Sequence, residues 1–388
     1  MPKTTDNKLR YNLVSFDYSG GHMKVVIAMD SFKGSLTSLE AGNAVRDGIL
    51  AACPDADVTV LPLADGGEGT IDAIAPYVNG EIRTLTVCGP LGDSVDSYYV
   101  FDPVSGTAYI EMAKASGLTL IDESRRDPYN TTSYGTGELI LDAVNNGAKK
   151  LVICIGGSAT NDGGAGMLQA LGARFLDASG NEISRGAIGL KSLQTVDLSS
   201  LVGTDKDIVV ASDVINPLCG PDGCSHVYGP QKGATYETAC EMDEWLKAFA
   251  ETCGFDPFEP GTGAAGGMSF ALKNFLGAKL RSGADIVTDI TGAESLIREC
   301  DIVITGEGRM DSQTVNGKAP FKIMELGVKY GKRVIGITGI LGDGYEACLD
   351  AGFYKIVPLI NPTMDTTKAI ESVIETTRTL FENYLTED

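Results

Sequence analysis

The chain has 388 residues, of which 43% are hydrophobic and 21% charged, an ordinary composition for a globular protein. At this length we expect two domains of about 100–200 residues each. The 31 Lys and Arg residues against 52 Asp and Glu residues leave a formal net charge of −21. This charge argues against nucleic acid and anionic lipid as partners, because the surface repels both.

The N-terminal segment, the cysteines and the histidines further limit the class of protein and its chemistry. No apolar run reaches the roughly 20 residues of a membrane span, and the N-terminus lacks the apolar stretch of a signal peptide. Residues 1–22 are polar and aperiodic, and we interpret them as a disordered or non-native tail. The nine cysteines are scattered without a C-x-x-C pair, which predicts reduced thiols and a cytoplasmic location. Only His226 lies outside the tail, so Asp, Glu or Lys residues are the most natural candidates for general acid–base catalysis.

The first predicted strand, residues 25–29, runs into the polar loop DSFKGS at residues 30–35. Lys33 in this loop, beside Asp30 and Ser31, is a candidate anion-binding group. A solvated surface lysine is the plain alternative.

A second strand, residues 58–61, runs into the glycine-rich acidic loop PLADGGEGT at residues 62–70. Asp65 and Glu68 cannot attract an anion unaided, so a functional role would be to hold a metal, orient a hydroxyl or act as a base. An ordinary helix N-terminus, where acidic residues are favoured by the helix dipole, is the alternative interpretation.

The residue pattern changes between residues 83 and 111, where three short apolar or β-branched segments are separated by turns rich in Gly, Pro and Asp. This pattern predicts antiparallel strands at residues 84–87, 97–101 and 107–111. We therefore place a domain crossing near Thr84.

The central stretch is an apolar run at residues 151–155 followed by the loop GGSATNDGG at residues 156–164. A run without polar alternation predicts a strand covered on both faces, as in parallel sheets. Its glycines would let backbone N–H groups approach an oxyanion, and Asn161 or Asp162 could cap the helix that follows. We interpret the loop as a phosphate or carboxylate cradle, against the alternative of a tight turn whose glycines serve packing alone.

Three further features lie between residues 208 and 267. The strand predicted at residues 208–218 carries Asp213, our leading candidate for a functional carboxylate. The alternative is that Asp213 is a buried acid that satisfies neighbouring backbone N–H groups. The loop GPQKGA at residues 229–234 carries one positive charge. Residues 261–267 match G-x-G-x-x-G, but the preceding segment holds two prolines and cannot be the central strand that a dinucleotide fingerprint needs.

The C-terminal part alternates regularly between strands and helices, which predicts a doubly wound α/β arrangement. The predicted strands are residues 302–305, 334–338 and 354–357, and the predicted helices are residues 320–330, 345–351 and 366–384. A loop from Thr305 onward brings Glu307, Arg309 and Lys318 onto one connection.

Together these patterns predict an α/β protein with two α/β domains and a cleft between them. The first is discontinuous, a doubly wound Rossmann-like sheet built from residues 23–83 and 285–388, and the second is inserted at residues 84–284. Strand ends that carry Gly, Ser, Thr, Asp, Lys and Arg suggest a small anionic substrate and suit phosphoryl transfer. No P-loop motif and no protein-kinase motif set is present.

Five motifs in this order resemble the type 1 glycerate kinase family: residues 30–35 (DSFKGS), 62–70 (PLADGGEGT), 156–164 (GGSATNDGG), 229–234 (GPQKGA) and 305–318 (TGEGRMDSQTVNGK). The similarity runs from about Met23 to the C-terminus. It implies ATP-dependent phosphorylation of D-glycerate with Mg²⁺, with 2-phosphoglycerate favoured over 3-phosphoglycerate, in organic acid catabolism.

Residue roles follow as hypotheses from that resemblance. Asp213, Lys33 and Asp65 are the candidate catalytic residues, and Asp213 and Asp65 are also the candidate metal ligands. The substrate-binding candidates are Asp30, Ser31, Lys33 and Arg309. The ATP-binding candidates are Gly156, Gly157, Ser158, Thr160, Asn161, Gly306, Glu307 and Lys318.

Two other classes share several of these features. A hydroxy-acid dehydrogenase would have an α/β fold and an anionic substrate, but it would need a strand before its G-x-G-x-x-G motif. A non-enzymatic binding protein for small organic acids would suit a two-domain cleft but needs no second anion site. The sequence leaves open which glycerate hydroxyl reacts and the oligomeric state, a homo-oligomer being one option.

Overall fold

The structure, a computed structural model, describes residues 22–315 and 317–384, so that residues 1–21 of the predicted tail lie outside it. The strands of the described chain are, in order, Lys24–Met29 (β1), Asp57–Pro62 (β2), Glu81–Cys88 (β3), Ser94–Asp102 (β4), Thr107–Glu111 (β5), Lys150–Cys154 (β6), Arg174–Leu176 (β7), Thr195–Asp197 (β8), Asp207–Ala211 (β9), Lys279–Arg281 (β10), Ile302–Met310 (β11), Arg333–Leu341 (β12) and Lys355–Pro358 (β13).

The α-helices are Ser38–Ala52 (α1), Thr70–Ile74 (α2), Ala113–Ser116 (α3), Tyr134–Asn145 (α4), Ala165–Ala170 (α5), Ala187–Leu190 (α6), Cys224–Tyr228 (α7), Tyr236–Thr252 (α8), Ala264–Leu276 (α9), Gly283–Thr291 (α10), Ala293–Glu299 (α11), Ala319–Lys329 (α12), Glu346–Ala351 (α13) and Thr366–Tyr384 (α14). Across the residues that the structure describes, no helix is long and apolar enough to cross a bilayer.

Five parallel strands form the first sheet, in the order β13-β12-β11-β1-β2. Numbered within this sheet alone, the order is that of the flavodoxin-like variant of a doubly wound α/β sheet. The winding reverses between β1 and β11, which pair from Val25 opposite Ile302 to Met29 opposite Gly306. Connections leave the sheet toward opposite faces at this point, so the carboxyl ends of β1 and β11 border an open crevice.

Helices cover both faces of the first sheet. Along β1, Val25, Ile27 and Met29 belong to the core beneath α1 and α14, whereas Val26 and Ala28 belong to the core beneath α11 and α12. A strand buried on both sides needs an uninterrupted apolar run, and this explains the residue pattern at the start of the chain.

Helix α1 is placed by a cap at one end and a close contact along its length. Thr37 caps its N-terminus, and Glu40 completes a reciprocal capping box. Gly48 lies against α14, where an added Cβ would be 2.6 Å from the carbonyl oxygen of Ile374. The small residue therefore allows the N-terminal and C-terminal helices of the chain to pack together.

Six strands form the second sheet, in the order β10-β9-β6-β5-β4-β3. Strands β5, β6, β9 and β10 are parallel, while β3 and β4 continue the sheet in antiparallel fashion. A large apolar core fills one face. On the other face, Ile71 and Ile74 of α2 pack with Ile286 and Val287 of α10. Both of these helices come from segments that also adjoin the first sheet, so they connect the two sheets.

The predicted α/β class is confirmed, and the predicted antiparallel stretch corresponds to β3, β4 and β5. The division into domains stays a prediction. Its first boundary, residue 84, falls inside β3, where Glu81 already pairs with Phe101 of β4. Its second boundary, residue 285, falls inside α10.

The strand predicted at residues 302–305 is longer than expected. β11 continues to Met310 and includes Gly306, Glu307 and Arg309, for which the sequence had predicted a loop. An added Cβ at Gly306 would lie 1.7 Å from the carbonyl oxygen of Ile337, so the glycine permits close pairing with β12. These glycines are typical of a loop, but here they allow two backbones to approach closely.

Candidate active site

Two adjoining cavities of about 1000 and 720 Å³ lie at the carboxyl ends of β1, β2 and β9. We refer to them together as the cleft. Six residues line both cavities: Asp30, Ser31, Lys33, Ser35, Asp65 and Asp213. Strands of both sheets contribute, since β1 and β2 belong to the first and β9 to the second. The cleft therefore lies at the position where doubly wound sheets bind ligands.

Backbone contacts between glycine-rich loops hold the two sides of the cleft together. The N–H of Gly156, after β6, donates to the carbonyl oxygen of Gly66, after β2, at 3.0 Å. An added Cβ on Gly66 would lie 2.7 Å from the Cβ of Ala211. At Gly283, an added Cβ would lie 2.1 Å from the carbonyl group of Asp65. These approaches explain why glycines recur at the strand ends, since larger residues would separate the loops.

Asp30 is partly buried and lies near other negatively charged carboxylates. Its backbone N–H donates to the Gly306 carbonyl at 2.8 Å, and its carboxylate accepts the Ser31 N–H at 2.7 Å. Desolvation, followed by the negative charges of Asp65 and Glu307, raises the pKa of Asp30 to about 7, against the opposing effects of the Ser31 N–H and Lys33. A carboxyl group with this pKa can exchange a proton near neutral pH.

Asp65 and Asp213 face the same space from opposite sheets. Asp65 accepts the N–H of Gly67 at 2.9 Å, and Asp213 accepts the N–H of Gly283 at 3.2 Å. Desolvation in the cleft raises the pKa of Asp213, and the charges of Asp65 and Asp285 add to the rise. The arrangement is one in which a cation or a transferred proton would relieve repulsion.

The donor set can be compared with what Mg²⁺ requires. In residues 22–315 and 317–384, no three His, Cys, Asp or Glu side chains form a cluster that could hold a metal ion. Mg²⁺ is usually bound by only one or two carboxylates together with water and substrate phosphates. The oxygen ligands of Asp65 and Asp213, whose charges repel each other across the cleft, fit that need.

Among the cationic side chains that line the cleft, Lys33 differs from the others. Arg309 pairs with Asp311, Lys318 with Glu307 and Lys114 with Asp72, with N to O distances of 3.1, 2.9 and 2.7 Å. Lys33 is exposed and, within the described part of the chain, forms no ion pair or hydrogen bond through its side chain. Its charge is therefore available to an anionic ligand in a strongly acidic protein.

The residues predicted to bind ATP after β6 fall into two groups. Gly156 and Gly157 line the larger cavity. Ser158, Thr160 and Asn161 are buried and line neither cavity. Their role in binding ATP stays a prediction, and the geometry favours a role behind the loop rather than direct contact.

Two of the three ATP-binding residues predicted between residues 306 and 318 border the smaller cavity. Glu307 accepts a hydrogen bond from Thr314 Oγ1 at 2.7 Å and one from Lys318 Nζ at 2.9 Å, so three residues of one connection are linked. Glu307, Lys318 and the substrate candidate Arg309 all line this cavity, whereas Gly306 does not.

Sequence reasoning missed two residues that follow or end β5. The buried Glu111 accepts the N–H groups of Gly69 and Ile71 at 3.0 and 3.1 Å, and so it anchors the acidic loop that carries Asp65. Lys114 lines the larger cavity beside Asp72. The signal was present, because a strand that ends in Glu111 and is followed by a lysine resembles the other strand ends.

A doubly wound sheet that shares an acidic, glycine-lined cleft with a second sheet is the architecture of an α/β enzyme for a small polar ligand. Comparison with known proteins agrees. The profile of the Glycerate kinase family matches residues 25–386. The Glycerate 2-kinase of Escherichia coli K12 is 49% identical over 328 residues, covering 83% of this chain and 86% of the relative. The Glycerate kinase of Halalkalibacterium halodurans is 44% identical, covering 90% and 95%.

A solved structure agrees with these relatives. A crystal structure from Salmonella typhimurium LT2 that carries the name glycerate kinase 2 superposes with a TM-score of 0.82 at 44% identity, covering 94% of this chain and 98% of the other. The chain therefore belongs to the glycerate kinase family and is an enzyme. The resemblance inferred from the five motifs is confirmed, and the dehydrogenase and binding-protein alternatives are set aside.

The raised pKa of Asp30 predicts a pH-dependent cost in stability. Its pKa of about 7 in the folded protein exceeds the unfolded value of about 4. The folded state therefore binds more protons in this interval, and stability falls as the pH rises from about 4 to about 7. We expect Asp30→Asn to raise the melting temperature at pH 8 and to leave it nearly unchanged at pH 4, as measured by calorimetry without added metal.

Asp350→Asn, on the exposed surface, is the matched control and should show the same small shift at both pH values. An equal gain for Asp30→Asn at pH 4 and pH 8, or a loss at pH 8, would contradict the assignment.

Proposed function

We propose that the protein transfers the γ-phosphoryl group of ATP to a hydroxyl group of D-glycerate and that the product is 2-phosphoglycerate. The observation that carries this proposal is that Asp30, Asp65 and Asp213 line the same two cavities as Lys33, a cation that forms no ion pair among the described residues. The name of the Escherichia coli relative supports the 2-hydroxyl as the acceptor. Such a reaction would serve organic acid catabolism in the cytoplasm.

The reaction requires one proton acceptor and compensation of phosphate charge. The glycerate hydroxyl loses its proton, its oxygen bonds to the γ-phosphorus, and the bond to the oxygen bridging the β- and γ-phosphates breaks, which releases ADP. We assign the proton to the Asp213 carboxylate, with Asp65 as the rival. Asp213 lies in the cleft with a raised pKa, which increases its basicity relative to an ordinary aspartate.

Substrate binding must overcome the negative charge of the protein. Lys33 would pair with the glycerate carboxylate or with the transferred phosphoryl group, since it forms no ion pair with a carboxylate of the described residues. Arg309, which is paired with Asp311, would assist from the smaller cavity. Asp30 and Ser31, at the end of β1, would accept and donate hydrogen bonds to the glycerate hydroxyl groups.

ATP would be held along the glycine loop and β11. Gly156 and Gly157 line the larger cavity, and because the Gly156 N–H is already donated to Gly66, the backbone N–H of Gly157 would contact a phosphate oxygen. Lys318, oriented by Glu307, would contact the nucleotide. Asp65 would hold Mg²⁺, with Asp213 in that role if Asp65 is the base, and the ion would supply charge neutralisation of the phosphates when bound.

The test of the function is an assay of ADP release with D-glycerate, ATP and Mg²⁺, followed by phosphorus NMR of the product. We expect turnover and a single resonance for 2-phosphoglycerate. A 3-phosphoglycerate signal would change the reacting hydroxyl, and ADP release with a different hydroxy acid alone would change the substrate.

The assignment of the base predicts different effects at Asp213 and Asp65. We expect Asp213→Asn to lower kcat by roughly 10²–10⁴-fold, since an amide cannot accept the proton. The KM for ATP should change much less. Asp72→Asn, in the wall of the larger cavity, is the control and should retain kcat. Near wild-type turnover in Asp213→Asn together with loss in Asp65→Asn would exchange the two roles.

The unpaired charge of Lys33 predicts an effect on binding. Loss of a charge-assisted contact costs about 1.5–3 kcal/mol, so we expect Lys33→Met to raise the KM for D-glycerate roughly 10–100-fold in steady-state kinetics. Lys24→Met, at the opposite end of β1, is the matched control. Unchanged KM values for both substrates in Lys33→Met would place the anion elsewhere in the cleft.

A further inference from the structure

Lys232 is a buried lysine to which the reaction outlined above gives no role. It ends a short 3₁₀-helix, Pro230–Lys232, and only 2% of the residue is exposed. Its Nζ donates to Ser158 Oγ at 2.8 Å and to the carbonyl oxygen of Thr160 at 2.7 Å. No described carboxylate forms an ion pair with it. Burying an ammonium group without a carboxylate partner costs free energy, and a buried lysine of this kind therefore indicates a function.

Both acceptors lie on the loop that follows β6. Gly156 and Gly157 of this loop line the larger cavity, whereas Ser158, Thr160 and Lys232 line neither cavity. Lys232 therefore holds the loop from the side away from the cleft. Because the two hydrogen bonds connect to residues only one to three positions beyond Gly157, movement of Lys232 would move the cavity wall.

Two ionisable groups act on Lys232 from the elements around it. Asp162 follows in the same loop, and Cys224 begins α7. The carboxylate of Asp162 is already occupied, since it accepts the Ser133 hydroxyl and the N–H groups of Ser133, Gly164 and Gly166. Desolvation lowers the pKa of Lys232 to about 8, although the neighbouring Cys224 and Asp162 oppose the decrease.

We propose that Lys232 is a positioning residue for nucleotide phosphate at the loop after β6: it fixes the loop, and its buried positive charge favours a phosphate oxyanion on the cleft side of Gly156 and Gly157. The location of the nucleotide rests on the proposed function. The neutral amine keeps two N–H groups for Ser158 and Thr160, so deprotonation removes the charge without removing the hydrogen bonds. The pH can therefore separate the charge from the scaffold.

The sign of the linkage follows from electrostatics. A bound phosphate favours the charged form and raises the pKa of Lys232 above about 8. Nucleotide binding near pH 8 therefore takes up a proton, and affinity decreases as the pH rises through this value. A lysine that only supports the fold would produce neither effect.

The kinetic test uses Lys232→Met, which has a similar length but no charge and no donor. We expect its KM for ATP to rise about tenfold or more while the KM for D-glycerate and kcat change about threefold or less. Lys206→Met, at a half-buried lysine that is paired with Asp205, is the control and should behave like the wild type. An unchanged KM for ATP, or a parallel loss in all parameters, would overturn the proposal.

The thermodynamic test is titration calorimetry of ADP binding at pH 8 in two buffers of different ionisation enthalpy, with no glycerate present. We expect proton uptake in the wild type and clearly less in Lys232→Met, where only other groups of the cleft such as Asp30 can take up a proton. Ser158→Ala keeps the lysine but removes an acceptor from the ammonium group, so it should move the pH of maximal uptake downward and serves if Lys232→Met does not fold. Equal proton uptake in the wild type and every folded variant would overturn the proposal.

The calorimetry involves no turnover, and its result is therefore independent of the substrate. ADP binding with proton uptake, but no reaction with D-glycerate, would refute the proposed function and leave the role of Lys232 supported. Turnover of D-glycerate with no proton uptake would do the reverse.

Discussion

The crowding of carboxyl groups at the carboxyl ends of β1, β2 and β9 is the constraint on which the cleft depends. Asp30, Asp65 and Asp213 line the same space, and their mutual repulsion contributes to the raised pKa of Asp30 and of Asp213. Such an arrangement is unfavourable for folding and persists where function requires it. Apolar packing of both sheets and the glycine contacts between the loops stabilise this arrangement.

In a protein with a formal net charge of −21, few cations are available to an anionic ligand. Lys33 lines the cleft and forms no ion pair within the described part of the chain, whereas Lys232 lies buried behind the loop of the larger cavity. The remaining cations around the cleft are each held by a neighbouring carboxylate. Membership of the glycerate kinase family agrees with this division, since one phosphoryl donor and one hydroxy acid have to meet in one space.

Much of the fold could be predicted from local patterns. The apolar run of β1 and the amphipathic repeat of α14 lie where periodicity placed them, because burial on two faces or on one stripe leaves a direct trace in sequence. The extension of β11 to Met310 could not be predicted in this way. Its glycines resemble a loop, and only the neighbouring carbonyl of Ile337 shows why glycine is needed there.

The amino-acid sequence by itself determined the α/β class, the family and the set of strand ends that carry polar residues, because hydrophobic period and ordered motifs are properties of contiguous residues. Tertiary structure alone decided which of those residues share the cleft. Asp30 and Asp213 are 183 positions apart yet line the same cavities, while Ser158 follows Gly157 directly and faces a buried lysine instead. Which side of a loop meets solvent depends on the elements packed behind it, and those elements come from distant parts of the chain.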